Sequence, residues 1–232
     1  MVFGRTTRGG RGGEPLPPVL DWRDVTTFTV GGVERQDAKG GRTVFGPKAV
    51  RVPRREGAGR VFPPCALIVA SDADTSVLYE DRETRRVLCT VGREGGGRAG
   101  GDERYDERCY VVRDAAGREI GRVRRVPPAR RLLRHTWRVE QPGHPEIVGR
   151  NKWAALSRQD AALHAAGSLV GGVVDSVLSF GAEGGDAPRR DRTLLWMAGD
   201  EEVMRSEGAD FRVKVPWVDR RLAFAAAAIG DR

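Results

Sequence analysis

Residues 222–229, Leu-Ala-Phe-Ala-Ala-Ala-Ala-Ile, carry no polar side chain on any side. A helix that is apolar all round must be buried all round. At about 1.5 Å rise per residue, the thirteen residues 217–229 span about 20 Å, too little for the roughly 30 Å hydrocarbon core of a bilayer. The segment therefore reads as a central core helix over 216–229, with Leu222, Phe224 and Ile229 as its large core residues. Asp219 is placed to cap its N-terminus, with Pro216 as an alternative start. Arg220 and Arg221 oppose the helix dipole in the first turn. They are expected to meet something acidic or to point into water at the mouth of a barrel.

What precedes this helix reads as short strands. Phe211, Val213 and Val215 alternate with Arg212 and Lys214, so period two places one set inward and the other in water. Residues 193–198 and 201–206 flank Gly199-Asp200 as a hairpin. Residues 109–113 and 118–126 flank Asp114-Ala-Ala-Gly117, with Asp opening and Gly closing a type I turn. Trp137 and Val139 alternate with Thr136, Arg138 and Glu140. Further runs fall at 65–70, 76–80, 86–91 and 145–150. The economical architecture is mainly β, an antiparallel sheet closed around the terminal helix.

Residues 158–181 break that pattern. Leu163, Ala166, Val170, Val173, Val177 and Phe180 recur at helical spacing, with His164, Ser168, Gly171, Asp175 and Ser179 between them. An amphipathic helix is expected, inserted over 154–182 between strands. Gly167-x-x-x-Gly171 invites a membrane reading, but Asp175 near its centre opposes it at about 2.5–3.5 kcal/mol. The chain is expected not to be transmembrane. The helix is read as packing on the protein's own sheet or on a partner, with interfacial membrane binding as an alternative.

Charge is unevenly distributed. Residues 1–60 hold ten Arg and two Lys against six acids, a net +6 of the +8 total. With its Arg/Gly repeats and Pro15, Pro17 and Pro18, this segment is expected to be a largely disordered basic tail, with short strands possible at 25–33 and 44–52. The barrel domain is then 61–232. The Gly/Arg loop 92–101 lacks the G-K-[ST] ending of a phosphate loop. Three cysteines, Cys65, Cys89 and Cys109, lie in strand contexts without a CxxC pair. They are expected to act as small hydrophobes in a reducing compartment, with no metal site and no cofactor. No apolar signal-peptide region is recognised, so a cytoplasmic location, peripheral at the membrane, is expected.

Tyr110-Val-Val-Arg-Asp114-Ala-Ala-Gly117-Arg-Glu-Ile120-Gly121-Arg-Val is similar to the recurring hairpin of the phospholipid scramblase-like and LURP-one-related proteins. Residues 217–229 resemble their hydrophobic C-terminal helix, and 193–215 the strands before it. The resemblance covers about 62–232 and implies a tubby-like fold, an antiparallel barrel of about twelve strands threaded by that helix. Asp72-Ala-Asp74 does not reproduce the calcium-binding segment of the scramblase branch, so scrambling is not carried over. No phosphoinositide-binding positions of the tubby branch can be aligned.

Catalysis finds little support in the residues. His135, His144 and His164 are scattered, and there is no nucleophile motif or HExxH. A non-enzymatic binding module is expected. Its best candidate surface is the strip 118–138, where Arg118, Arg122, Arg124, Arg125, Arg130, Arg131, Arg134 and Arg138 face only Glu119, a net +7. Arginine forks suit phosphate oxygens, so an anionic phospholipid head group is the expected ligand. The alternative for the strip is a solvated face balanced by acids elsewhere. Alternative functions are protein docking through 158–181 and, more weakly, RNA binding by the Arg/Gly tail, with nucleic acid the less favoured partner.

Overall fold

The computed structural model describes residues 16–37, 41–95, 107–127, 136–151 and 193–230. Its strands are β1 (Thr27–Gln36), β2 (Thr43–Arg51), β3 (Arg54–Glu56), β4 (Gly59–Val61), β5 (Pro64–Ala70), β6 (Thr75–Tyr79), β7 (Val87–Glu94) and β8 (Arg108–Asp114). They continue with β9 (Glu119–Val126), β10 (Thr136–Glu140), β11 (Ile147–Asn151), β12 (Thr193–Ala198), β13 (Glu201–Glu207) and β14 (Asp210–Val213). One helix follows, α1 (Arg220–Ile229). From β5 to β14 each strand pairs with the next. β5 then pairs with β2, β2 with β1, and β1 with β14. The result is a closed antiparallel barrel of twelve strands with one short C-terminal helix. Closure leaves the ring no exposed sheet edge. Among the described residues no helix is long and apolar enough to cross a membrane.

The barrel begins earlier than the composition implies. Residues 27–51 belong to the ring, whereas the sequence places its start at 61. β1 closes it through Thr27↔Arg212, Phe28↔Phe211 and Thr29↔Asp210. Phe28, Ala49 and Val50 are fully buried. Their alternation is masked in sequence by Gly31-Gly32 and by register shifts around Val33. Such bulges put the strand out of period two. Residues 1–15, and the expected helix 154–182, lie outside the described residues.

α1 fills the lumen. Leu222 lies against Gly121 of β9, and Phe224 meets Phe28 of β1 edge-on at 4.9 Å. β1 and β9 are six strands apart in either direction round the ring, so contact with both places the helix across the middle. Leu222 and Phe224 are fully buried, and Ile229 is partly buried against the same core. The small side chains of Ala223 and Ala225 to Ala228 are all buried, which lets a helix fit where larger side chains would not. The helix starts at Arg220 rather than at 216. The Asp219 carboxylate accepts from the Arg221 backbone N–H at 2.8 Å, closing the first turn, while Pro216 and Trp217 form a turn ahead of it. At the other end, Lys48 Nζ donates to the Ala228 carbonyl at 3.3 Å and Gly230, at φ 64°, ends the helix.

Gly121 sets how closely α1 approaches the wall. Its φ is +154°, a Cβ there would run into the Glu140 carbonyl oxygen, and it would stand 2.8 Å from Leu222 Cδ1. Gly121→Ala should therefore lower stability by about 1–3 kcal/mol from overpacking, with backbone strain adding to it. A urea titration measures this as a drop in midpoint at unchanged slope.

Candidate functional site

The strip 118–138 is divided by its own geometry. Arg122 and Arg124 alternate with the buried Gly121 and Val123 along β9, which turns both guanidinium groups outward. Arg124 lies opposite Arg138 of β10. Two like charges so placed repel, and Glu146 relieves the repulsion by accepting from both, at 3.1 Å and 2.8 Å. Arg124 also pairs with Glu140 and, at 3.5 Å, with Glu107. Arg122 is held by Glu119 and Glu94, each at 2.8 Å. The Glu119 hydrogen bond raises the pKa of Arg122, and Arg122 in turn lowers that of Glu119.

Arg118 closes the 114–118 turn, where Asp114 Oδ1 accepts from the backbone N–H of Ala116 and Arg118. Its side chain pairs with Asp114 Oδ2 at 2.8 Å. Those backbone bonds, with Arg118 itself, hold the Asp114 carboxyl below its usual range. Arg125 faces the other way, opposite Trp137 and Arg108. Arg130, Arg131 and Arg134 lie outside the described residues. Arg118, Arg122, Arg124 and Arg138 thus form a belt already neutralised by acids, several of which lie outside 118–138. Sequence distance hides that balance.

The end of the barrel at the start of α1 holds a pocket of about 260 Å³, lined by Trp22, Glu80, Leu88, Asp114, Arg118 and Arg221 among others. Two guanidinium groups lie over the Trp22 ring, Arg23 at 4.9 Å and Arg221 at 5.7 Å, and its indole N–H donates to Glu80 at 2.9 Å. Each arginine here has its own carboxylate: Arg23 on Asp21, Arg118 on Asp114, and Arg221 on Asp219 at 2.7 Å. Arg221 meets an acid, as its place in the first turn implies. Arg220 instead is buried and donates to the Val218 carbonyl at 2.6 Å. Gln141 donates to the Trp217 carbonyl and accepts from the Asp219 N–H, fixing the entry to the helix. The pocket is an interlocked lid on the core.

The buried thiols are poor nucleophiles. Burial pushes Cys65 and Cys89 up to about 12, so both are protonated at neutral pH and inert. His144 stacks on Trp217 at 4.7 Å. His135 and His164 lie outside the described residues.

A third region was hidden in the expected tail. The N-terminal half of β1 closes the barrel, but its C-terminal end pairs with β4 through Arg35↔Val61 and Gln36↔Arg60. β4 then pairs with β3 through Arg54↔Val61 and Arg55↔Arg60. Together with residues 43–45 of β2 this makes a four-stranded flap continuous with the ring. Directly paired residues share a face. One row therefore runs Thr43, Gln36, Arg60, Arg55, and the opposite row runs Val44, Arg35, Val61, Arg54. Arg35 engages Glu56 at 3.6 Å on the second row. On the first row, Arg55 and Arg60 sit side by side, both exposed. Neither they nor Arg54 has a side-chain hydrogen bond or ion pair among the described residues. Phe45, two residues from Thr43 and so on the same face, is 70% exposed.

The flap is anchored where it leaves the ring. Arg51 is fully buried and donates to the carbonyls of Gly31 (3.1 Å), Phe62 (2.9 Å) and Pro47 (2.7 Å) and to Glu34 Oε1 (3.3 Å). Glu34, buried on the bulge of β1, also takes Arg82 at 3.3 Å. Burial pulls the Arg51 pKa down, and Glu34 opposes that shift. Gly46 lies so close that a Cβ would overlap the Glu34 carboxylate. One guanidinium thus joins β1, β2 and the exit from β4.

No family model, curated protein or solved structure matches this chain.

Proposed function

We propose that this protein is a non-enzymatic, tubby-like barrel that binds an anionic, phosphate-bearing ligand such as a phospholipid head group, at the periphery of a cytoplasmic membrane surface. Twelve strands closed around a C-terminal helix support the tubby-like reading, because the sequence resemblance implies that architecture. The observation that carries the ligand class is the pair Arg55 and Arg60. These arginines lie opposite one another on adjacent strands, and among the described residues no carboxylate pairs with either. Like charges directly opposite are destabilising, and an anion bridging them reverses that repulsion. For Arg124 and Arg138, by contrast, Glu146 relieves the same repulsion. We therefore place ligand reading at Arg55 and Arg60 rather than at Arg118, Arg122, Arg124 and Arg138, whose charges are already paired.

Each arginine near an anionic surface contributes about 1 kcal/mol at moderate salt. Replacing Arg55 and Arg60 together by Ser should weaken binding to vesicles containing phosphatidylserine, and to inositol hexakisphosphate, by about 30-fold. Arg122→Ser with Arg124→Ser should leave both nearly unchanged. Co-sedimentation and calorimetry read the two ligands. Equal binding by the double variant and the wild type would falsify the assignment.

A further inference from the structure

We infer that the exposed face of the flap docks on a lipid bilayer, with the Phe45 ring entering the interfacial layer beside arginines that hold head-group phosphates. This rests on the proposed anion binding and narrows its source.

Phe45 is the most exposed large hydrophobic residue among the described residues. A single exposed apolar side chain is ordinary on a soluble surface. Its place here is less ordinary. It shares a face with the unpaired Arg55 and Arg60, and the opposite row contains both the Arg35–Glu56 pair and the half-buried Val44 and Val61. At about 4.8 Å between strands, Arg60 stands two strands and Arg55 three strands from β2, or about 10 Å and 14 Å. The aromatic ring and the two charges therefore lie at separate points along one sheet face.

A soluble polyanion engages the charges and leaves the ring in water. A bilayer offers phosphates and, just beneath them, an apolar layer reached by groups that penetrate about 5–10 Å. A single-stranded nucleic acid would also use arginines and aromatics, but it stacks successive bases on several rings. This row presents one. The anchor formed by Arg51 and Glu34 holds the face in place, so docking needs no prior folding of the flap.

The test uses the full chain, with vesicles of phosphatidylcholine alone, vesicles with added phosphatidylserine, inositol hexakisphosphate and a single-stranded oligonucleotide. Wild-type protein should bind the phosphatidylserine vesicles. Phe45→Ser should lose about tenfold on those vesicles while keeping wild-type affinity for inositol hexakisphosphate. Phe45→Trp should restore vesicle binding. Because Phe45 is exposed, Phe45→Ser should keep the wild-type urea midpoint, which shows that it is folded. If Phe45→Ser binds vesicles like the wild type, bilayer docking is overturned and the anion-binding reading stands. Oligonucleotide affinity that exceeds vesicle affinity and falls in Phe45→Ser also overturns docking, in favour of nucleic acid. If the wild type binds none of the anions, both readings fail.

Discussion

Replacing Phe224 by Asp should leave no soluble, folded protein. Phe224 is fully buried and its ring meets Phe28 at 4.9 Å. Phe28 in turn stacks on Phe211 at 5.3 Å, with planes 7° apart. These three rings join the helix to the two strands that close the barrel, β1 and β14. Removing a buried phenyl group alone costs about 3–5 kcal/mol. An unpaired carboxylate in the same place adds a desolvation penalty of several kcal/mol more. The whole domain is stable by only about 5–15 kcal/mol, so the sum reaches the total. Phe224→Ala is the graded control: it should fold, with a urea midpoint lowered by the equivalent of about 3–5 kcal/mol. A soluble Phe224→Asp variant with native near-ultraviolet dichroism would mean that α1 is not the core.

The second large effect is expected at Arg51. Arg51→Met keeps the length of the side chain but leaves three carbonyl oxygens, of Gly31, Pro47 and Phe62, without this donor. Among the described residues Glu34 then keeps only Arg82 as its charged partner. Breaking a buried ion pair from one side costs about 3–5 kcal/mol, and each orphaned carbonyl adds about 1 kcal/mol or more. For many buried pairs, replacing both members with apolar groups recovers the loss. Here Glu34→Leu with Arg51→Met should not recover it, because the carbonyls remain unserved. Chemical denaturation of the two single variants and the double variant measures this directly. Full recovery in the double variant would show that charge pairing, rather than the carbonyl bonds, is what Arg51 supplies.

Much of the barrel is legible in the amino-acid pattern. Trp137 and Val139 are buried where period two places them, as are Phe211 and Val213. The 114–117 turn forms with Gly117 N–H bonded to the Asp114 carbonyl at 3.0 Å. The hairpin of β12 and β13 falls at the expected residues. These features are local, so a window of a few residues contains the information. The flap is not legible in that way. β1 changes partner halfway, from β14 to β4, and carries a buried acid on a bulge. Arginine, glycine and proline across 27–61 resemble an extended tail until strands distant in sequence supply their hydrogen bonds.

Charge was the least transferable reading. The run of arginines over 118–138 is real as composition, but β9 and β10 bring Arg124 and Arg138 against Glu107, Glu140 and Glu146, and the described part of the belt is balanced by acids. Arg55 and Arg60, five residues apart in an unpromising stretch, face each other with no ion pair on either among the described residues. Local chemistry alone determined that the chain forms alternating strands around an all-apolar helix, because side-chain period and the hydrophobic effect act within each segment. Only the tertiary structure decided which charges remain unpaired, because Coulomb interactions depend on through-space distance, and that is set by strand register rather than by position in the chain.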